Sequence, residues 1–227
     1  MMTTTAQSFD TKQMISLDHL FQKYNAFDEQ TKLMDLYTKK QNQQAHICFS
    51  GHFSAGKSTL LNQLLEEDLL PESPIPTSAN IVEIHQGHSQ VVAHTKEQNA
   101  ILLEDDRSLA EVQELCRNRE EITQVDIWRE NPLLPSDVTL MDTPGIDAVD
   151  DADRIMTESA LHKVDIVYYV MDYNHVQSEV NATFLQQLES MNKRYYVIVN
   201  QIDKHQEAEL SFSSYQQSLE NVLHQWG

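Results

Sequence analysis

The chain has 227 residues, of which 40% are apolar and 22% charged, and its 16 basic and 35 acidic side chains give a net charge of −19. This mixture is typical of a globular chain with one sizeable core, which argues against disorder. The negative charge would repel nucleic acid, so we predict no nucleic-acid partner. The first ten residues are polar and the longest apolar run is 166–171, which predicts neither a signal peptide nor a membrane span and indicates a cytoplasmic protein.

The first 44 residues are predicted to form two helices. Apolar side chains recur at helical spacing on two stripes, which contain Met14, Leu17, Phe21 and Tyr24 and then Leu33, Leu36 and Tyr37. We therefore predict an N-terminal helical segment, 1–44, that precedes the main fold.

From residue 45 onward, apolar strands alternate with amphipathic helical runs. The predicted strands are 46–50, 81–83, 91–95, 125–129, 138–141, 165–171 and 195–199, and helical runs follow at Ser58, Leu109, Arg154, Ser178 and Glu207. Strands joined by helices of this length predict right-handed βαβ units. The fold class is therefore α/β, with a mainly parallel central sheet flanked by helices.

Residues 51–58 read GHFSAGKS and form a complete phosphate-binding motif between the first predicted strand and a helix. Gly51 and Gly56 allow the backbone N–H groups to curl around phosphate oxygens, and the helix directs its positive end at the anion. Lys57 would neutralise the outer phosphates, while the Ser58 hydroxyl would bind Mg²⁺. The motif predicts a nucleotide site.

The second motif, VTLMDTPG at 138–145, is an apolar strand that ends in a polar turn. Asp142 would hold Mg²⁺ through a water molecule, and the Gly145 N–H would reach the terminal phosphate only in a nucleoside triphosphate. The alternative is a strand that simply ends in a tight Pro-Gly turn. The presence of the phosphate loop disfavours that alternative.

The third motif, VIVNQID at 197–203, is again a strand that leads into a polar turn. The Asp203 carboxylate would accept from the N1–H and the exocyclic amine of guanine, a donor pair that adenine lacks, so GTP is favoured over ATP. Asn200 would brace the phosphate loop and the base edge. Gln201 replaces the more usual lysine, which predicts modest affinity. Alone, this pattern is a common surface turn.

Thr77 is the predicted magnesium ligand on the loop between the first two motifs. It lies in PIPTS, 74–78, a proline-rich stretch that cannot be helical. Its hydroxyl would join Ser58 on the metal, and its carbonyl would orient the attacking water. The alternatives are that Thr77 merely begins a strand, or that Ser78 takes this role.

The two cysteines and the three histidines between residues 85 and 94 carry no predicted chemistry. Cys48 and Cys116 lie in a predicted strand and a predicted helix, so both are expected to be reduced and structural. His85, His88 and His94 are expected on an exposed hairpin and show no metal-ligand spacing. We therefore expect these three imidazoles to be solvated.

With these motifs the chain resembles the dynamin superfamily of large GTPases, and most closely its bacterial dynamin-like, mitofusin-like branch. The resemblance implies a P-loop GTPase domain over 45–227. It also implies GTP hydrolysis stimulated by homodimerisation of the GTPase domains and coupled to membrane remodelling or fusion. The matching residues are 51–59, Leu70 and Pro71 with 76–78, 142–146 and 200–204.

Motif and resemblance together give the predicted site for GTP or GDP with Mg²⁺. The nucleotide-binding residues are Gly51, Ser54, Ala55, Gly56, Lys57, Ser58, Thr59, Asp142, Gly145, Asn200, Gln201, Asp203 and Lys204. The metal ligands are Ser58, Thr77 and Asp142. The catalytic residues are Thr77, Lys57, Ser54 and Gly145.

The sequence departs from related enzymes at two positions. Phe53 stands where eukaryotic dynamins have a glutamine, and Ile146 stands where Ras-like enzymes have one. Hydrolysis would then depend on Thr77, backbone amides and Mg²⁺, with a monovalent cation near Ser54 as one option for charge compensation. A partner subunit would complete the site, so slow turnover is expected in the monomer.

After Asp203 the sequence offers one more amphipathic helix, and we expect the GTPase domain to be truncated after the guanine-specificity motif. Lipid contact is then expected only through parts absent from this chain, with the whole protein peripheral at the membrane. Two other functions stay open. One is a GTP-dependent binding module with negligible hydrolysis, and the other is an ATPase, which Asp203 disfavours.

Overall fold

A computed structural model describes residues 11–72, 80–97, 99–103, 109–118, 121–146 and 160–226. The chain divides into two compact units, the first ending at Gln44 and the second beginning at Ala45. Among the described residues, no helix is both long enough and apolar enough to cross a membrane.

The described part of the first unit is a pair of helices, α1 (Thr11–Lys23) and α2 (Phe27–Asn42). Met14 and Leu33 are buried and line one apolar groove. The Gln30 amide donates to Asp18 Oδ1 at 2.7 Å, which links α2 to α1. Gln43 caps the C-terminus of α2, and its left-handed conformation lets its N–H reach the carbonyls of the last turn.

The second unit is built on one eight-stranded sheet within the described part of the chain. Its strands are β1 (Ala45–Gly51), β2 (Ile81–Gln86), β3 (Gln90–Thr95), β4 (Ala100–Leu103), β5 (Ile122–Arg129), β6 (Val138–Asp142), β7 (Ile166–Asp172) and β8 (Arg194–Asn200). Their order across the sheet is β4-β3-β5-β2-β6-β1-β7-β8.

Strand direction confirms the predicted α/β fold with a mainly parallel sheet. Strands β6, β1, β7 and β8 are parallel neighbours, and β2 is parallel to β5. The remaining pairings, β2 with β6 and β3 with both β4 and β5, are antiparallel. The central strand β1 therefore has a parallel neighbour on each side, which aligns the carboxyl ends of three strands.

Helices cover both faces of this sheet. Helices α3 (Lys57–Leu65) and α4 (Leu109–Arg117) contribute Leu61 and Val112 to one core. Helices α5 (Glu179–Ser190) and α6 (Phe212–Trp226) contribute Phe184 and the partly buried Leu219 to the other. Full burial of one such leucine or phenylalanine contributes about 1.5–3 kcal/mol, so these cores fix the helices on the sheet.

The seven predicted strands are all present. The structure adds one strand and begins the last helix later than predicted, and one predicted helix lies outside the described residues. Strand β4 was not predicted, because a run of four residues is too short to give a clear period. The last helix begins at Phe212 and not near Glu207, since the Glu207 carboxylate and the Ser211 hydroxyl accept from the first N–H groups of α6. The helical run expected at Arg154 lies outside the described residues.

The prediction of an exposed hairpin with three solvated histidines is wrong for two of them. Strand β5 lies between β2 and β3, so these strands do not pair with each other. His85 is buried and stacks on Trp128 at 4.7 Å between ring centroids. His94 is half-buried and lies 2.7 Å from Asp126 Oδ2, whereas His88 is exposed as predicted. The prediction failed because β5, which follows β3 by more than 20 residues in the sequence, lies between β2 and β3 in the sheet.

Candidate nucleotide-binding site

The phosphate-binding motif joins the central strand β1 to helix α3. In the sheet, Phe49 is opposite Asp142 of β6 and Gly51 is opposite Val170 of β7. The loop therefore lies at the carboxyl ends of three neighbouring parallel strands, the edge at which α/β proteins bind ligands.

Gly56 caps the N-terminus of α3 and sets the path of the loop. Its φ is 89°, a left-handed conformation that L side chains rarely adopt. A Cβ at this position would lie 2.6 Å from Asn200 Nδ2. Any side chain would thus push the third motif away from the loop.

Lys57 is buried within the loop that it follows. Its ammonium donates to the carbonyl oxygens of Gly51 at 3.1 Å and His52 at 2.9 Å. A buried cation is costly unless it is well paired. The position is suited to an anionic ligand held by the loop, which is the role predicted for Lys57.

Ser58 and Asp142 meet directly beside Lys57. The Ser58 hydroxyl donates to Asp142 Oδ2 at 2.7 Å. Asp142 is 1% exposed, and its Oδ1 has no hydrogen-bond partner. Burial raises the pKa of Asp142, while the Lys57 charge and the Ser58 hydrogen bond act against that rise. A buried, unpartnered carboxylate oxygen beside a serine hydroxyl fits a hard cation such as Mg²⁺.

The turn after Asp142 packs on the phosphate loop. Thr143 Oγ1 donates to the Phe49 carbonyl at 3.1 Å, and the Ile146 N–H donates to the Gly51 carbonyl at 3.2 Å. A Cβ on Gly145 would lie 2.7 Å from the Phe53 nitrogen, so only glycine fits this approach. The Ile146 side chain is buried in the core formed with α5.

Thr77 and its alternative Ser78 lie outside the described residues, so the role of Thr77 stays a prediction. The strand that follows them, β2, runs beside β6 with Val82 opposite Asp142. On the other side of that segment, Glu72 accepts hydrogen bonds from Thr59 Oγ1 at 2.8 Å and from Asn62 Nδ2 at 2.9 Å. Both flanks are therefore anchored beside the predicted metal site. Sequence reasoning missed Glu72, since the residue carries no motif.

The third motif is hydrogen-bonded to the first. Asn200 Nδ2 donates to the Ala55 carbonyl at 2.8 Å, which is the contact expected of Asn200 with the phosphate loop. Gln201 Nε2 donates to the Ser54 carbonyl at 2.7 Å. Asp203 lies in a single 3-10 turn, Ile202–Lys204, and is exposed. The loop thus fixes Asn200 and Gln201 while the Asp203 carboxylate stays open to a ligand.

Asp172, at the end of β7, is a further member of this edge that sequence reasoning missed. The Lys204 ammonium donates to Asp172 Oδ2 at 2.9 Å and also contacts Gln201 Oε1. Burial alone would raise the pKa of Asp172, but the hydrogen bonds from the Asn174 N–H and Lys204 outweigh it and leave that pKa below its usual range. The only signal in the sequence was a carboxylate directly after a predicted strand.

The sequence of this chain is similar to those of known proteins. Residues 47–203 match the model of the Dynamin family. The chain is 43% identical over 198 residues to Dynamin-like protein A of Bacillus subtilis, an alignment that covers 86% of this chain and 17% of that protein. It is 25% identical to Dynamin-like protein 1 of Campylobacter jejuni, with 86% of this chain and 32% of that protein covered.

Among solved structures, that of an oligomerised bacterial dynamin pair matches 93% of this chain and 42% of its own chain, with a TM-score of 0.62 and 23% identity. This match supports the fold alone. The chain spans less than a third of the length of the two curated relatives, 17% and 32% respectively. The family match covers most of the sequence, including all three motifs, and the chain therefore belongs to the dynamin family.

Proposed function

We propose that this chain binds GTP with Mg²⁺ and hydrolyses the terminal phosphoanhydride. One observation carries the proposal. The loop that holds Asp203 is hydrogen-bonded to the phosphate loop through Gln201 and Ser54 at 2.7 Å, which supports a single site for the base and the phosphates. The Asp203 carboxylate accepts only, which suits the donor pair on guanine.

In this proposal Ser58, Thr77 and Asp142 would hold Mg²⁺, and the bound ion would neutralise charge that develops on the phosphates. Lys57 supplies a second positive charge from inside the loop. The Gly145 N–H binds the terminal phosphate, and the loop amides, including that of Ser54, stabilise the charge that spreads over its oxygens. Thr77 orients the attacking water, and a monovalent cation near Ser54 is an optional further source of charge.

Stimulation by a second copy of the domain is part of the same proposal. Ile146 is buried in the core and Phe53 is apolar, so neither offers a polar group to the water. A partner domain would complete the site. Membrane remodelling at a cytoplasmic membrane surface is also proposed; the chain matches 17% and 32% of the length of its two curated relatives.

The test measures phosphate release per molecule as a function of chain concentration, with GTP or ATP. We expect the rate with GTP to rise with concentration and excess ATP to compete poorly. Lys57→Met serves as the inactive control, because the variant lacks the cation of the phosphate loop. A rate per molecule that stays constant across concentrations would contradict activation by dimerisation.

A second candidate function is a GTP-dependent binding module with negligible hydrolysis, favoured by the burial of Ile146. The two functions separate when stoichiometric GTP and Mg²⁺ are added and bound nucleotide is analysed over time. Persistent GTP on a nucleotide-bound chain, even at high protein concentration, would favour the binding module. Conversion to GDP would favour the GTPase.

A further inference from the structure

A second polar cluster lies on the paired strands β2 and β5 and shares no residue with the predicted nucleotide site. Glu83 and His85 are alternate residues of β2 and therefore share one face of the sheet. Asp126 of β5 is the register partner of Glu83, so its side chain lies on that same face. Side-chain exposure is 5% for Glu83, 10% for His85 and 14% for Asp126, which makes this a largely buried group of three ligand-type residues.

The spacing of this cluster matches that of metal ligands. One ligand atom from each of the three residues lies within 4.8 Å of the others. The Glu83 Oε2 and His85 Nε2 atoms are 3.8 Å apart. Two ligands of a tetrahedral zinc ion with bonds of ~2.0–2.2 Å lie roughly 3.3–3.6 Å apart. Small side-chain rotations would bring the three atoms onto one ion.

His85 is already held in the orientation of a ligand. Its Nδ1 lies 3.1 Å from Thr139 Oγ1, and its ring stacks on Trp128. Its Nε2 is buried and has no hydrogen-bond partner. A hydrogen bond from Nδ1–H to a neighbouring oxygen is the usual support of a metal-binding histidine, and it leaves the Nε2 lone pair available. Nε2 is the atom that points at the Glu83 carboxylate.

Other side chains support the two carboxylates from outside. Lys163 pairs with Glu83 Oε1, which is not the oxygen nearest to His85. His94 Nε2 lies 2.7 Å from Asp126 Oδ2, and Gln124 Nε2 donates to Asp126 Oδ1 at 2.6 Å. Ligating carboxylates are normally hydrogen-bonded in this way by surrounding groups. The positive charge of Lys163, however, competes with an ion for Glu83.

We propose that Glu83, His85 and Asp126 bind one divalent transition-metal ion, with Zn²⁺ as the best-fitting class and solvent at the remaining position. An imidazole nitrogen with two carboxylates suits zinc better than magnesium, which prefers an all-oxygen shell. The ion would link β2 to β5. Strand β2 is the strand that follows the segment containing Thr77. It is distinct from the proposed magnesium site and does not depend on nucleotide binding.

The test titrates Zn²⁺ into the metal-stripped 227-residue chain in excess Mg²⁺, with bound zinc measured by equilibrium dialysis. We expect one site per chain. His85→Asn should weaken it at least tenfold, while His88→Asn, which changes an exposed imidazole close by, should leave it unchanged. Co²⁺ in place of zinc should give the visible absorption of a low-coordinate site, and this absorption should disappear in His85→Asn.

Two further variants separate a ligand role from a structural one. Lys163→Met should tighten zinc binding, because it frees Glu83 from a competing cation, while Asp126→Asn should weaken it. Retained binding of fluorescent GTP checks the fold of each variant. Equal zinc affinity in the unaltered chain and His85→Asn would overturn the proposal, as would a Co²⁺ spectrum that is unchanged by both His85→Asn and Asp126→Asn.

Discussion

The Gln201 side chain donates to the Ser54 carbonyl at 2.7 Å and so links the turn that carries Asp203 to the phosphate loop. Glutamine performs this task here although lysine is more usual at the position. The bond joins two ends of the proposed GTP site that are 147 residues apart in the chain.

Gln201→Ala is expected to weaken GTP binding by about two- to tenfold. The change removes one hydrogen bond to the phosphate loop, and such a bond contributes about 0.5–1.5 kcal/mol. Titration with fluorescent GTP measures the effect. Gln206→Ala, an exposed glutamine in the following turn, is the matched control. Equal affinities for both variants would show that the bond to Ser54 does not position the base.

Asp203→Asn is expected to change the preferred base from guanine to xanthine. The asparagine amide donates where the carboxylate accepted, which mismatches the guanine amine but suits the C2 carbonyl of xanthine. GTP affinity should fall roughly tenfold to a hundredfold, since an unpaired donor costs about 1–3 kcal/mol.

Competition between GTP and XTP measures this switch. Glu209→Gln makes the same charge change at an exposed site nearby and should keep the preference for GTP. An Asp203→Asn variant that still prefers GTP would place base recognition elsewhere.

Asp142→Asn is expected to reduce the enhancement of GTP binding by Mg²⁺ about tenfold or more. The buried carboxylate beside Ser58 is the charged member of the proposed metal site, and an amide replaces that charge with a dipole. The measurement is GTP affinity with and without Mg²⁺.

The control for Asp142 is Asp137→Asn, which alters an exposed carboxylate just before the same strand. GTP binding of this variant should respond to Mg²⁺ as in the unaltered chain. If Asp142→Asn keeps the full response, the metal is held by other residues.

Asp172→Asn is expected to lower stability near pH 7 and to remove one source of acid sensitivity. The pKa of Asp172 is lowered in the folded chain, so the unfolded chain takes up the proton first as pH falls. The stabilisation from this group is therefore complete above the unfolded pKa, about 3.9, and is lost as pH falls through the lower folded value.

Thermal melts at several pH values, run without nucleotide, test this. The difference in melting temperature between the unaltered chain and Asp172→Asn should be constant from neutral pH to about pH 5 and should shrink below about pH 4. Glu220→Gln, an exposed carboxylate on α6, should show no such difference. A difference in melting temperature that grows at low pH would contradict a lowered pKa of Asp172 in the folded chain.

The fold, and the meeting of the three motifs at one edge of the sheet, were largely predictable because their signals are local. Apolar periodicity located the strands, and the motifs carry Ser58, Asp142 and Asn200 at fixed places after them. Parallel packing then brings these strand ends to one edge. Each motif could be identified in the sequence, and the general geometry of α/β sheets predicts that the motifs lie close together.

The contacts that escaped prediction join residues far apart in the sequence. His85 became buried because β5, and not β3, lies beside β2. Asp172 pairs with Lys204, 32 positions later, and neither residue signals the other. The order of the strands and the pairing of side chains between them depend on the whole sheet. The hydrophobic pattern of a single segment therefore does not predict them.

Strand β8 is the last strand of the described sheet and pairs with β7 alone. It also ends in Asn200 and leads into Gln201, the side chains that reach the phosphate loop. A bound nucleotide would contact both this edge strand and the loop that follows central strand β1, so fraying of β8 and ligand binding become competing events. Occupancy should therefore slow amide hydrogen exchange in β8 more than in β1, and the edge strand would report whether the site is filled.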